Sequence, residues 1–175
     1  LNEEVAGTGC RALTGRARTP KITGFAGRMR SRHAMDVQIR PFALSDYAAA
    51  LALWKRTEGM GLNESDEEAA VAVFLDRNPG CSAVAVTDDG RVVGAMLCGH
   101  DGRRGSLHHL AVDRAMRQHG VGRRLVDHGM TRLSEAGIVK CNIFVLADNA
   151  QGTAFWLSGG WYRTPWLNLQ KRLLG

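Results

Sequence analysis

The sequence has no apolar stretch of membrane-spanning length, no C-x-x-C pair and no Cys/His spacing suited to a metal ion. Its apolar runs, such as residues 69–75 and 143–147, fall well short of the roughly 18 residues a spanning helix needs. No membrane partner is expected. The four cysteines, Cys10, Cys81, Cys98 and Cys141, stand far apart in the chain. Cys98 and Cys141 lie among apolar neighbours, where a thiol acts as a small hydrophobe. Neither metal nor disulfide is indicated, and a reducing cytoplasm suits such usage. An N-terminal h-region, the mark of a secretory signal, is missing as well.

Broad positive charge is also lacking, although the chain carries a formal net charge of +6. Residues 1–34 hold seven basic and two acidic residues; the rest holds 16 basic and 15 acidic, a net of only +1. The body therefore has no extended basic surface of the kind nonspecific nucleic-acid binding requires. The leader shows no hydrophobic periodicity and is expected to be disordered. It reads as an addition upstream of the native start, a mis-start, or a basic tail. The first patterned segment opens at Met35, and residues 35–175 are long enough for one cored domain.

What the chain has in excess is glycine, 21 residues, or about 12% against a usual 7%. Residues 37–41 alternate apolar and polar up to Pro41, as in a first strand. Ser45-Asp46 cap a helix with Leu44, Tyr47, Leu51 and Trp54 on one face, ending near Glu58-Gly59. A second capped helix starts at Ser65-Asp66-Glu67-Glu68 and stops at Asn78-Pro79-Gly80. Strands are expected over 82–87 and 92–99, joined by Asp88-Asp89-Gly90. A third, 106–112, puts His109 and Ala111 on one face and His108, Leu110 and Val112 on the other. A helix over 121–136 points Leu125, Met130 and Leu133 inward. The run 138–147 reads as a strand buried on both faces, so that strand, helix and strand form a right-handed crossover. Asp148-Asn149 cap a last helix, 150–158, and residues 161–173 form a final strand or hairpin.

Between the third strand and its helix lies Arg117-Gln118-His119-Gly120-Val121-Gly122-Arg123-Arg124. Glycines at 120 and 122 remove side chains that would hold a ligand away, so backbone N–H groups at the positive end of a helix point at an anion. A pyrophosphate fits such a cradle. A dinucleotide-binding Rossmann unit is disfavoured, because it places G-x-G-x-x-G after the first strand.

Leu110-Ala111-Val112 followed by Arg117-x-x-Gly120-x-Gly122, then Asn149, then Ala154-Phe155-Trp156-Leu157-Ser158-Gly159-Gly160-Trp161 resemble, in order and spacing, the signatures of the GCN5-related N-acetyltransferase (GNAT) superfamily. His100-Asp101-Gly102-Arg103-Arg104-Gly105 and Leu169-Gln170-Lys171-Arg172-Leu173 are similar to a branch of small bacterial acetyltransferases. The resemblance covers the body and not the leader. It implies an α/β fold: one domain with a mixed, mostly antiparallel twisted sheet of six to seven strands and about four helices. It implies an acetyl-CoA-dependent N-acetyltransferase that moves an acetyl group to a primary amine of a small molecule, peptide or protein by direct attack on the thioester. Expected partners are acetyl-CoA and an amine acceptor, with the chain a monomer or homodimer. The alternative is an acyl-CoA-binding sensor without turnover.

By the same resemblance, Leu110, Ala111 and Val112 would pair with the pantetheine arm as a strand does. Backbone groups of Gln118, His119, Gly120, Val121, Gly122 and Arg123 would bind the pyrophosphate, with Arg117, Arg123 and Arg124 adding charge. Asn149 would hold the far end of the arm, while also reading as a helix cap. Phe155 and Trp156 would pack on it. An amine with a pKa of about 10.4 must lose its proton near neutral pH. His109, His108 and Glu58 are the candidate bases, with Asp101 third. Many relatives have tyrosine at the position of Trp156, where it can protonate the leaving thiolate. Tryptophan cannot, so water, Tyr162 or Ser158 supplies the proton, water being favoured, or the thiolate leaves unprotonated and is neutralised later.

Overall fold

The computed structural model describes residues 36–165 and 167–173; the leader, residues 1–34, lies outside them. Strand β1 (Val37–Pro41) leads through a 3-10 turn, Leu44–Asp46, into α1 (Tyr47–Lys55). A second turn, Glu64–Asp66, precedes α2 (Glu68–Arg77), and then come β2 (Ala83–Thr87), β3 (Val92–His100) and β4 (Gly105–Val112). Helix α3 (Val121–Glu135), the short β5 (Cys141–Ile143) and α4 (Ala150–Ser158) complete the order.

Local chemistry accounts for the joints. Arg40 grips Asp46 with both guanidinium nitrogens, at 2.6 and 2.8 Å, and Asp46 also accepts the Ala43 N–H at 3.0 Å. The end of β1 is thereby tied to the start of α1. The guanidinium holds the Asp46 carboxyl below the usual carboxylate range. Asn63 Oδ1 accepts from the Ser65 N–H and Asp66 Oδ2 from the Asn63 N–H, both at 2.8 Å. The cap that Ser65-Asp66 suggested therefore belongs to the 3-10 turn and starts at Asn63.

The strands lie in the order β1-β2-β3-β4-β5, antiparallel except for the parallel pair β4–β5. Each face has its own core. On one, α3 sets Val121, Leu125 and Leu133 against Ala83, Val93, Met96 and Leu107, with Trp156 of α4 joining them. On the other, Tyr47, Leu53 and Trp54 of α1 and Val71 of α2 meet Val84, Ala95, Leu97 and Ala111.

The family-like order holds, and among the described residues there are four α-helices and a sheet of five strands, not six to seven. Of the run 138–147 only Cys141–Ile143 pairs, and Phe144 and Leu146 beyond it are exposed. None of the described residues in 161–173 is in a strand, and Leu167, Leu169 and Leu173 are exposed. A strand is held by a partner edge and by a face to bury. These leucines have no such cover among the described residues.

Helix α3 turns Leu125 and Leu133 inward as expected, but not Met130. Met130 is partly exposed, and Gly129 is the residue against the sheet, where a Cβ would come within 2.8 Å of Met96 Cε and 3.0 Å of Cys98 Sγ. A bare backbone there lets α3 sit close on β3. Gly129→Val should overpack this contact and lower the unfolding free energy by about 1–3 kcal/mol, measured by denaturant titration; unchanged stability would disprove the close approach.

Candidate active site

The central feature is an irregularity in β4. Leu97 pairs with His108 and Ala95 with Ala111, so His109 and Leu110 together stand opposite the single residue Met96. His109 takes a φ of 51°, left-handed backbone that few non-glycine residues adopt. The extra residue resets the alternation of the strand. The expected split of the two histidines across the sheet is therefore corrected: both face the α1–α2 layer. The His108 ring meets Phe74 of α2 edge-on, with centroids 6.0 Å apart, and the His109 ring lies 5.2 Å from that of Trp54 in α1. Leu110 and Val112 pack on the opposite core.

His109 has partners at both ring nitrogens. Its Nε2 lies 2.5 Å from Asp66 Oδ1, and its Nδ1 lies 3.2 Å from Met60 Sδ. Asp66 is buried, its other carboxylate oxygen accepts from Asn63, and its carbonyl accepts from the Tyr47 hydroxyl at 2.9 Å. Two lone pairs would repel at 2.5 Å, so a proton lies between ring and carboxylate. Asp66, Met60 and Trp54 were not legible as site residues, since Asp66 reads as a helix cap and Trp54 as core. No sequence spacing joins Asp66 to His109.

The glycine turn gathers backbone donors at the start of a helix. Gln118 and Gly120 have φ of 65° and 77°, and Gly120 precedes the first residue of α3. Arg124 N–H is the first to close a helical bond, to the Gly120 carbonyl at 3.0 Å. Among the described residues, the N–H groups from Gln118 to Arg123 have no acceptor. A Cβ on Gly120 would meet nothing within 4 Å, and one on Gly122 only Phe155 and Val112 at 3.5 and 3.6 Å. The space in front of the turn is open. Beside it, β4 and β5 part company: their pairing ends at Leu107 with Ile143. Among the described residues, His108 to Val112 thus have no strand partner on the β5 side. Unpaired N–H groups at a helix start and a free strand edge suit a phosphate-bearing, strand-like ligand.

The remaining candidates are distributed around this groove. Arg117 donates from Nε to the Val112 carbonyl at 3.1 Å and lies 3.5 Å from Glu58, whose side chain is exposed. Glu58 thus meets the cradle's arginine. Asn149 caps α4, its Oδ1 accepting the Gly152 N–H at 2.7 Å, while its Nδ2 sits close against Gly59. Phe155 is the aromatic beside Gly122, whereas Trp156 is buried between Phe155 and Trp161, with ring centroids 5.1 and 5.0 Å away. Tyr162 is exposed, and Asp101 caps its own loop through the Arg103 and Arg104 N–H groups. Among the described residues no group of His, Cys, Asp and Glu side chains could hold a metal ion, and no helix is long and apolar enough to cross a membrane.

Comparison with known proteins identifies the family. The model of the acetyltransferase (GNAT) family matches residues 47–160. An acetyltransferase of Pectobacterium atrosepticum is 30% identical over 113 residues, 65% of this chain and 79% of that protein. Ard1 from Thermoplasma volcanium shares the fold with a TM-score of 0.64 at 21% identity, over 73% of this chain and 84% of its own. AAC(6')-Iy, solved with the bisubstrate analogue CoA-S-monomethyl-acetylneamine, does so with a TM-score of 0.64 at 14% identity, over 79% and 99%. The chain belongs to the acetyltransferase (GNAT) family, and it is an enzyme of the N-acetyltransferase class.

Burial pushes the His108 imidazole below its ordinary range, and nearby His109 pushes it the same way against the opposing pull of Asp66. A folded value below the unfolded one means that the unfolded chain takes the proton first. Stability is then full above the ordinary histidine value of about 6.5 and falls as the pH drops below it. His108→Gln should make the decline of Tm from about pH 6.5 to 5 shallower than in the wild type; an identical slope would show that His108 does not contribute to it.

Proposed function

We propose that the chain transfers the acetyl group of acetyl-CoA to a primary amine of a small molecule, peptide or protein, with His109 as the general base. The observation that carries the donor side is the run of N–H groups from Gln118 to Arg123 that have no acceptor among the described residues. These would bind the pyrophosphate, with Arg117, Arg123 and Arg124 supplying charge. The β4 edge from Leu110 to Val112 would pair with the pantetheine arm, flanked by Phe155 and Asn149. Acetyl-CoA is consumed as a co-substrate and supplies the thioester.

The acceptor's nitrogen lone pair bonds to the acetyl carbon while the carbon–sulfur bond breaks and its electron pair leaves on sulfur. The proton leaving nitrogen needs a base within reach. His109 supports this role better than Glu58, because it is half-buried on β4, beside the free edge, and carries a carboxylate partner. Glu58 is instead engaged with Arg117. Trp156 offers no proton for the thiolate, which leaves water as the donor, with Tyr162 exposed to solvent. The same tryptophan is the one feature that favours an acyl-CoA sensor without turnover.

Release of free coenzyme A, measured against a panel of amines and peptides, should rise with at least one acceptor; tight acetyl-CoA binding with no turnover on any would favour the sensor. Gly122→Glu puts an anion in the cradle and should abolish acetyl-CoA binding in calorimetry, while unchanged affinity would remove the cradle assignment. His109→Ala should lower kcat by about 10²–10⁴-fold and flatten the acid side of the pH–rate profile, with Glu58→Ala leaving that profile in place. The reverse pattern would make Glu58 the base.

A further inference from the structure

We infer that Asp66 is the positioning residue for this reaction: it keeps a proton on His109 Nε2, so that Nδ1, the nitrogen now facing Met60 Sδ, is the atom that takes the acceptor's proton. The inference rests on the proposed function and adds the side chain through which His109 would act.

The Asp66 carboxylate is held at both oxygens. Oδ2 accepts the Asn63 N–H at 2.8 Å and Oδ1 faces His109 Nε2 at 2.5 Å, while the Tyr47 hydroxyl fixes the Asp66 carbonyl. The carboxylate therefore cannot swing away. The imidazole is equally confined, by the left-handed backbone at its own Cα and by the fully buried Trp54 against its ring. With Asp66 ionised, the proton between them makes Nε2 the donor. In the neutral ring Nδ1 then carries the lone pair.

A purely structural staple between the α1–α2 connection and β4 would need only the Nε2 contact. What sets this pair apart is the second nitrogen, whose partner is a thioether, a weak hydrogen-bonding group on a flexible side chain. Met60 lies in the coil between α1 and α2 and is half-buried. An amine can displace it without breaking a strong bond. The titratable groups against His109 are Asp66, from the turn before α2, and His108 on its own strand, with ring centroids 6.5 Å apart. In the reaction the amine proton moves to Nδ1, and Asp66 balances the charge of the imidazolium. That proton then passes to water or to the departing sulfur, which restores the neutral ring.

The test is Asp66→Asn in the full chain, read by steady-state kinetics and by ¹⁵N NMR of labelled histidine at about pH 8, above histidine's ordinary range. The wild type should show Nε2 protonated and Nδ1 bearing the lone pair. An asparagine amide can donate to Nε2 and drive the proton to Nδ1, so D66N should show the other tautomer. It should also lose kcat by about 10²–10⁴-fold, with acetyl-CoA affinity unchanged. Wild-type kcat in a folded D66N, even one of lower Tm, would overturn the role of Asp66 and leave the acetyltransferase reading standing. Absence of turnover by the wild type on every acceptor overturns both. If D66N does not fold, the wild-type spectrum decides: a proton on His109 Nδ1 overturns the inference.

Discussion

One additional residue in β4 determines how the two halves of the site meet. A regular strand would send His108 and His109 to opposite sides of the sheet; the bulge opposite Met96 turns both toward α1 and α2. A non-glycine residue in left-handed backbone costs on the order of 1–3 kcal/mol and persists only where its surroundings over-determine it. Here Trp54, Asp66 and Met60 supply that constraint, and they close on His109 from the α1 side. The bulge positions the imidazole for its partners, and the partners hold the bulge. Neither is independent of the other.

The donor half rests on a different economy of backbone groups. Polar backbone that is buried must be paired, yet among the described residues the start of α3 leaves its N–H groups without acceptors, and β4 has no strand beside it beyond Leu107 on the β5 side. Both are tolerated because the core beneath is closely packed. Val121 and Leu125 are buried under the turn, and Gly129 brings the helix down onto β3. A closely packed layer thus presents these backbone groups in a defined array, and under the proposed function such an array would need little ordering to meet a ligand.

Much of this was readable from residue order. The hairpin around Gly90, the turn at Gly120, the amphipathic α3 and the Asn149 cap each depend on neighbours within a few positions, and each formed where expected. The bulge was not readable, because alternation assumes a residue count that only the partner strand reveals. Asp66 was hidden for a related reason: three residues after Asn63 it performs a local capping duty, and this masks its long-range contact with His109, 43 positions away. The final strand or hairpin expected over 161–173 was not realised because local sequence does not say what would cover its apolar residues. Among the described residues Leu167 and Leu169 remain uncovered.

The connection after α1 meets the cap of α4 at a single bare backbone. Gly59 has a φ of 73°, and a Cβ there would lie 2.5 Å from Asn149 Nδ2. Asn149 in turn holds the first turn of α4 through Gly152. A segment next to Met60 and a helix carrying Phe155 are therefore keyed together like two gear teeth. Any side chain at position 59 would press on the Asn149 amide, so a change in the loop that carries Met60 would be felt at the cap of the helix that carries Phe155.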